Sequence, residues 1–232
     1  MYSSNNTALI LAGGQGTRLK PYTSVFPKPL VPVDGKPILE IIIQKLKKNN
    51  FKKIIICLNK NNNLIKVYFG DGKKFGVKIE YVYEKKPLST MGPLHLVKKL
   101  PSNFLIMNGD ILSDISYKKF FKDHISSKKK FSVAIKSISH KIDYGILKFT
   151  NKKLIGFLEK PKLNFDVSMG IYAANKSILK WIPKNKFYGF DNLMNNLIEN
   201  KQDINTSKYK NNWLDIGRPS DYYRANKKYK SK

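Results

Sequence analysis

Cysteine occurs once, at Cys57, so no internal disulfide can form. That thiol lies in the apolar run Ile54 to Leu58 and reads as a small core residue. Long apolar runs are missing. Ile38 to Ile43 is interrupted by Glu40 and is far shorter than a membrane span. The N-terminus MYSSNNT lacks a basic segment followed by a long apolar one. No secretory signal is expected there, and a cytoplasmic address follows by default. The three histidines, His95, His124 and His140, do not form a ligand cluster. Acidic residues are scarce, 16 against 44 Lys plus Arg, which leaves a net charge of +28. Internal repeats and domain linkers are also absent.

The basic excess has three readings: a nucleic-acid surface, attraction of anionic substrates, or compositional drift. Lys and Asn are spread through loops and helices alike, with no aromatic-studded basic stripe, which favours drift. With 232 residues, 41% of them hydrophobic, the chain can bury one sizeable core.

The stretch Ala8 to Val33 organises the rest. Ala8 to Ala12 is an apolar run of the right length for a buried strand. Gly13, Gly14 and Gly16 follow at once and permit a sharp turn with close backbone approach to an anion. Arg18 places a cation beside those amides, and Lys28 adds another ten residues on. A plain tight turn with two surface cations fits this stretch equally well. Known phosphate loops do not: there is no G-x-x-x-x-G-K-[ST], and G-x-G-x-x-G from Gly14 fails at Leu19.

Downstream, helical spacing predicts a helix at Pro37 to Asn49, with Ile38, Ile41, Ile42 and Leu46 inside and Lys45, Lys47 and Lys48 outside. A strand is expected at Lys53 to Leu58, a polar loop at Asn59 to Asn63, and a short helix at Leu64 to Phe69. Val77 to Tyr83 alternates as a strand. A helix is expected at Pro93 to Lys99, carrying His95, and a strand at Phe104 to Met107. Strands alternating with helices predict a doubly wound, mostly parallel α/β sheet. In such sheets ligands sit beyond the carboxyl ends of strands, which puts Asp110 at the same edge as Gly13. A carboxylate beside bound phosphates is suited to Mg²⁺; alone it reads as a turn or cap. The second half is less regular: helices at Tyr117 to His124, Asn175 to Ile182, Phe190 to Glu199 and Pro219 to Tyr229, and strands at Phe131 to Ile138, Gly145 to Phe149 and Leu154 to Leu158.

Gly13 to Leu19 and Pro27 to Leu30 resemble the G-G-x-G-T-R-L and P-K-P-L signature of sugar-nucleotide pyrophosphorylases, nearest to short mannose-, heptose- or glucosamine-1-phosphate guanylyltransferase-like catalytic domains. The resemblance implies a Rossmann-like sheet with an added antiparallel sugar-binding part. It implies one catalytic domain over 1–232, with a nucleotide half over about 1–115 and a sugar-phosphate half over about 116–232. The resemblance leads to the expectation of a catalytic domain alone, without the left-handed helical repeat domain that some relatives carry.

The implied reaction moves a nucleotidyl group from a nucleoside triphosphate to a sugar 1-phosphate, releasing pyrophosphate, for cell-surface polysaccharide or glycan precursors. Arg18, Lys28, Asp110 and Lys160 are the implied catalytic residues, and Asp110 and Asp215 the implied Mg²⁺ ligands. Leu11, Ala12, Gly13, Gly14, Gly16, Thr17, Glu84, Leu88, Thr90 and Gly92 would line the nucleotide. Tyr144, Gly145, Glu159, Lys160, Ser168 and Gly170 would receive the sugar phosphate. For Glu159 and Lys160 an exposed charged turn before Pro161 is the plain alternative. Expected partners are the two substrates, with no nucleic acid and no membrane span; a homo-oligomer is compatible with this reading.

Glu84 bears on the base. Thymidylyl- and uridylyl-transferring relatives often hold glutamine near this place, whereas a carboxylate can accept from guanine N1–H and its amino group. GTP is therefore expected, with dTTP or UTP as the alternative. Ser89 and Met91 depart from the family's glycine and alanine, and Ser89 is expected to lose a glycine backbone angle. A nucleotide-sugar glycosyltransferase would show Asp-x-Asp after the central strand, but Ile111 follows Asp110. A phosphocholine cytidylyltransferase would need a cage for its cation, where Lys160 argues for phosphate. A regulatory protein with a dead site also competes, although all the expected charged residues are present.

Overall fold

The structure, a computed structural model, describes residues 6–60 and 63–229. The reading of the N-terminus therefore lies outside the described residues at 1–5, and the polar-loop reading does so at 61 and 62. The strands are β1 (Asn6–Leu11), β2 (Pro32–Val33), β3 (Lys36–Pro37), β4 (Phe51–Asn59), β5 (Lys78–Glu84), β6 (Asn103–Asn108) and β7 (Ile111–Ser113). They continue with β8 (Phe131–Lys141), β9 (Ile146–Thr150), β10 (Lys153–Leu158), β11 (Lys162–Asn175), β12 (Asn205–Lys208) and β13 (Trp213–Asp215). The helices are α1 (Ile38–Lys48), α2 (Asn63–Phe69), α3 (Tyr117–Ser127), α4 (Phe190–Glu199) and α5 (Pro219–Tyr229).

One seven-stranded sheet carries the molecule, in the order β12-β8-β11-β6-β1-β4-β5. β6, β1, β4 and β5 run parallel. β11 is antiparallel to both β6 and β8, and β12 runs parallel to β8, so the second half extends the same sheet with one reversed strand, β11, followed by two in the original direction. The apolar runs of β1, β4 and β6 explain the centre: a strand covered on both faces is apolar at every position. Ala8, Ile10, Ile54 and Ile56 face one core, under α1 and α3. Leu9, Ile55, Cys57 and Ile106 face the other, under α4. Cys57 is fully buried, and burial pushes its thiol pKa above the range in which it could react.

Three expectations need correction. Residues 93–99 form no α-helix; a 3-10 turn spans Gly92–Leu96. The amides of Met91 and Gly92, at its start, both donate to Tyr188 O, at 2.9 and 3.0 Å. Residues 175–182 likewise hold a 3-10 helix at Lys176–Trp181, entered through Asn175, whose side chain accepts from Ser177 N at 3.0 Å. Lys45 is not simply outside: its amine binds Asp114 at 2.7 Å and Ser113 O at 2.8 Å, tying α1 to the end of β7.

His124 is the buried histidine. It is 1% exposed, and its Nδ1 lies 2.7 Å from Ser132 Oγ on β8. Burial disfavours the charged ring and pushes its pKa down from 6.5 to about 4. The folded state therefore favours the neutral ring. His124's contribution is fully present above the unfolded value near 6.5 and is lost as pH falls from there towards 4. A shift of that size corresponds to about 3 kcal/mol. Urea midpoints of the wild type should fall over this interval, and those of His124→Gln should fall less. Parallel curves would remove His124 as the source.

Candidate active site

The carboxyl ends of β1, β4, β5 and β6 meet at one edge of the sheet. Register places Leu11 beside Cys57 and Asn108, and Asn59 beside Glu84. Ala12 N donates to Cys57 O at 2.9 Å and Gly109 N to Leu11 O at 2.8 Å, so the glycine turn and the turn after β6 leave the sheet side by side. A cavity of about 620 Å³ opens there, within the usual range for small-molecule sites. Gly13, Gly14, Gln15, Lys28 and Asp110 line it. Asn59, Glu84, Lys85, Pro87, Thr90 and Phe187 line it too.

Two glycines have steric reasons to be glycine. Gly16 has φ 65°, and a Cβ there would meet Lys28 Cβ and Thr23 Cγ2, each at 3.0 Å. The loop can fold back on Lys28 only without a side chain. At Gly13 a Cβ would stand 2.6 Å from Glu84 Oε1. The first glycine thus makes room for a carboxylate two strands away.

Lys28 and Asp110 form an ion pair, with their side chains 10% and 24% exposed. That pairing uses Asp110 Oδ2; Oδ1 is buried and has no hydrogen-bond partner among the described residues. Asp215 arrives from far along the chain. β13 pairs antiparallel with β7, setting Asp215 opposite Ile111, and Ile216 N donates to Asp110 O at 3.1 Å. Asp215 keeps an exposed edge, yet its carboxyl pKa is raised, first by burial and then by the Asp110 charge. Arg18 Nη2 and Asp215 Oδ1 both flank Gly217, at 3.8 and 3.7 Å from where its Cβ would stand. Lys28 and Arg18 partly offset the repulsion on Asp215.

Glu84 does not end its strand in solvent. It is 8% exposed, its Oε2 accepts from Leu88 N at 2.9 Å, and burial raises its carboxyl pKa. Ser89 keeps the glycine-like angle after all, at φ 63°. Backbone bonds to the 186–190 segment hold the turn around it: Tyr188 N donates to Leu88 O at 3.0 Å, and Phe190 N to Thr90 Oγ1 at 2.8 Å.

Of the residues read from sequence, Leu11, Ala12, Gly13, Gly14, Lys28, Glu84, Thr90 and Asp110 line this cavity. Gly16, Thr17, Arg18, Leu88, Gly92 and Asp215 do not line it; Gly16 and Leu88 sit immediately behind its wall. Ser168 and Gly170 lie at the irregular step of β11, where a Cβ on Gly170 would be 2.8 Å from Asn108 Nδ2. Asn108 lines the cavity. Tyr144, Gly145, Glu159 and Lys160 gather on the exposed β9–β10 hairpin, apart from the cavity lining. There the Glu159 carboxylate is 3.8 Å from the Lys160 amine and flanks Gly145. Sequence reasoning missed Asn59, Lys60 and Phe187. Only the rule that strand ends line the site could have pointed to Asn59.

A D-glycero-alpha-D-manno-heptose 1-phosphate guanylyltransferase from Aneurinibacillus thermoaerophilus is 32% identical over 226 residues, covering 95% of this chain and 96% of that protein. A UTP--glucose-1-phosphate uridylyltransferase from Synechocystis sp. is 28% identical, covering 94% of this chain and 62% of that protein. The crystal structure of HddC from Yersinia pseudotuberculosis complexed with GMP-PN superimposes with a TM-score of 0.75 at 26% identity, covering 97% of this chain and 99% of that one. No helix among the described residues is long and apolar enough to cross a membrane. The nucleotidyl transferase family model matches residues 7–232, and the chain belongs to that family as an enzyme of the sugar-nucleotide pyrophosphorylase type.

Proposed function

We propose that the protein transfers a guanylyl group from GTP to a sugar 1-phosphate. An oxygen of the sugar phosphate attacks the α-phosphorus, the bond to the β-phosphate oxygen breaks, and pyrophosphate leaves. The observation that carries this reading is the cavity. It joins a glycine turn and a paired cation and carboxylate to a buried Glu84 in one continuous space. The nucleophile is already an anion at neutral pH, so no general base is required, and positioning and charge neutralisation do the chemistry. The amides of the 13–16 turn and the Arg18 guanidinium would hold the β- and γ-phosphates. Lys28 would meet the charge that builds at the α-phosphate. Glu159 and Lys160 would receive the sugar and its phosphate.

The residues present fit a Mg²⁺ ion. Asp110 has a buried carboxylate oxygen without a partner, and Asp215 lies close enough to feel its charge. Among the described residues no third His, Cys, Asp or Glu joins them. A hard cation that shares its shell with phosphate oxygens needs few protein ligands. Asp110 and Asp215 would hold it, and it would supply neutralisation of phosphate charge.

GTP is favoured because Glu84 offers a carboxylate to N1–H and the amino group of guanine, and because guanylyltransferases stand among the relatives. Uridylyltransferases are relatives too. Pyrophosphate release across four triphosphates and a panel of sugar 1-phosphates tests the reading. GTP should lead in kcat/KM; a tenfold preference for UTP or dTTP would reverse the base assignment.

A further inference from the structure

Phe187 is 68% exposed and lines the cavity. No sequence motif marked it. Its neighbours behave differently: Tyr188 and Phe190 pack against the core under α4, and the Phe190 ring stacks on Tyr172 at 4.7 Å between centroids. Phe187 alone of these three aromatics turns to the open space. The backbone that carries it is held. Tyr188 O accepts from Met91 N and Gly92 N, Tyr188 N donates to Leu88 O, and Phe190 N donates to Thr90 Oγ1. Lys186 O lies against Gly92, 2.8 Å from where its Cβ would stand. The ring is thus anchored to the segment that begins at Glu84, in the cavity that Glu84 also lines. An apolar ring fixed at the rim of a polar cavity loses nothing by exposure if a flat ligand covers it.

We infer that Phe187 is a base-stacking residue, receiving the face of the purine whose edge meets Glu84. This deepens the triphosphate reading and rests on it. The two side chains divide the recognition. Stacking on an aromatic face accepts every base and favours the larger purine surface. The Glu84 carboxylate then separates guanine from adenine by its donors.

Calorimetric binding of GTP, UTP and inorganic tripolyphosphate tests this, with no turnover needed. Phe187→Ala should weaken GTP binding on the order of tenfold. It should leave tripolyphosphate unchanged and narrow the preference for GTP over UTP. Phe187→Trp should retain GTP binding, and Phe187→Leu should lose most of what Phe187→Ala loses, since it keeps apolar area but no π face. The exposed position predicts an unchanged thermal midpoint in all three. GTP affinity unaltered in Phe187→Ala, or a parallel loss for tripolyphosphate, overturns the inference. A wild type that binds GTP through Phe187 yet releases no pyrophosphate with any sugar 1-phosphate would sink the transferase reading and leave Phe187 in place. A wild type that binds no triphosphate would sink both.

Discussion

Asp110→Asn is expected to lower turnover on the order of 10² or more while the fold survives. The substitution keeps the shape and keeps an acceptor for the Lys28 amine, so it removes charge rather than contact. Its stability cost is that of weakening one half-buried ion pair, about 1 kcal/mol. The activity cost is larger because, in the proposed mechanism, Asp110 faces the place where charge changes during the reaction. Its second oxygen is buried and unpartnered in the resting protein, which leaves it free for a ligand that arrives with substrate. Pyrophosphate release and a urea midpoint, measured on the same preparation, separate the two effects. Turnover within a few-fold of wild type would remove Asp110 from the chemistry and reduce it to a partner of Lys28.

Lys28→Ala should reduce kcat on the order of 10² or more with a smaller change in KM, because the amine acts on charge that develops only at the α-phosphorus. The side chain is 10% exposed, with its stem against Gly16 and its amine on Asp110. Such a lysine has little freedom, which suits a group meant to meet a phosphate without rearranging. Lys47 on the exposed face of α1 provides the comparison, and Lys47→Ala should leave kcat within twofold. Equal damage from both substitutions would mean that bulk charge, not position, matters. The pair should also be non-additive. Once Lys28 is gone, Asp110→Asn should cost less than it does alone, since contacting residues share one interaction.

The effects expected at Asp110 and Lys28 differ from a general electrostatic one. A net charge of +28 would attract any anion to the surface. Lys60, Lys85 and Lys86 around the cavity add to that attraction. Removing any of them should alter association and its salt dependence more than the rate of the chemical step.

The parallel centre of the sheet was legible in the chain because each of its strands is an unbroken apolar run, and burial on both faces demands that composition locally. The phosphate-side residues were legible for a similar reason: Gly13 to Arg18 and Lys28 lie within one short stretch, and their contacts with each other are local. Resemblance to the pyrophosphorylases extended that reading to Asp215, but no local property of residues 213–218 pointed to Asp110. That proximity comes from the antiparallel pairing of β13 with β7 across a hundred residues of chain. β7 and β13 are three residues each, too short for a period-2 pattern to name a partner. The 3-10 turns at Gly92–Leu96 and Lys176–Trp181 are likewise fixed at their starts by distant partners, Tyr188 O and Ser102 O, that the local pattern does not name. Phe187 marks the limit most sharply. In sequence it is one more aromatic between Lys186 and Tyr188, and its face reaches the cavity only because four bonds from Tyr188 and Phe190 hold that segment to residues 88–92.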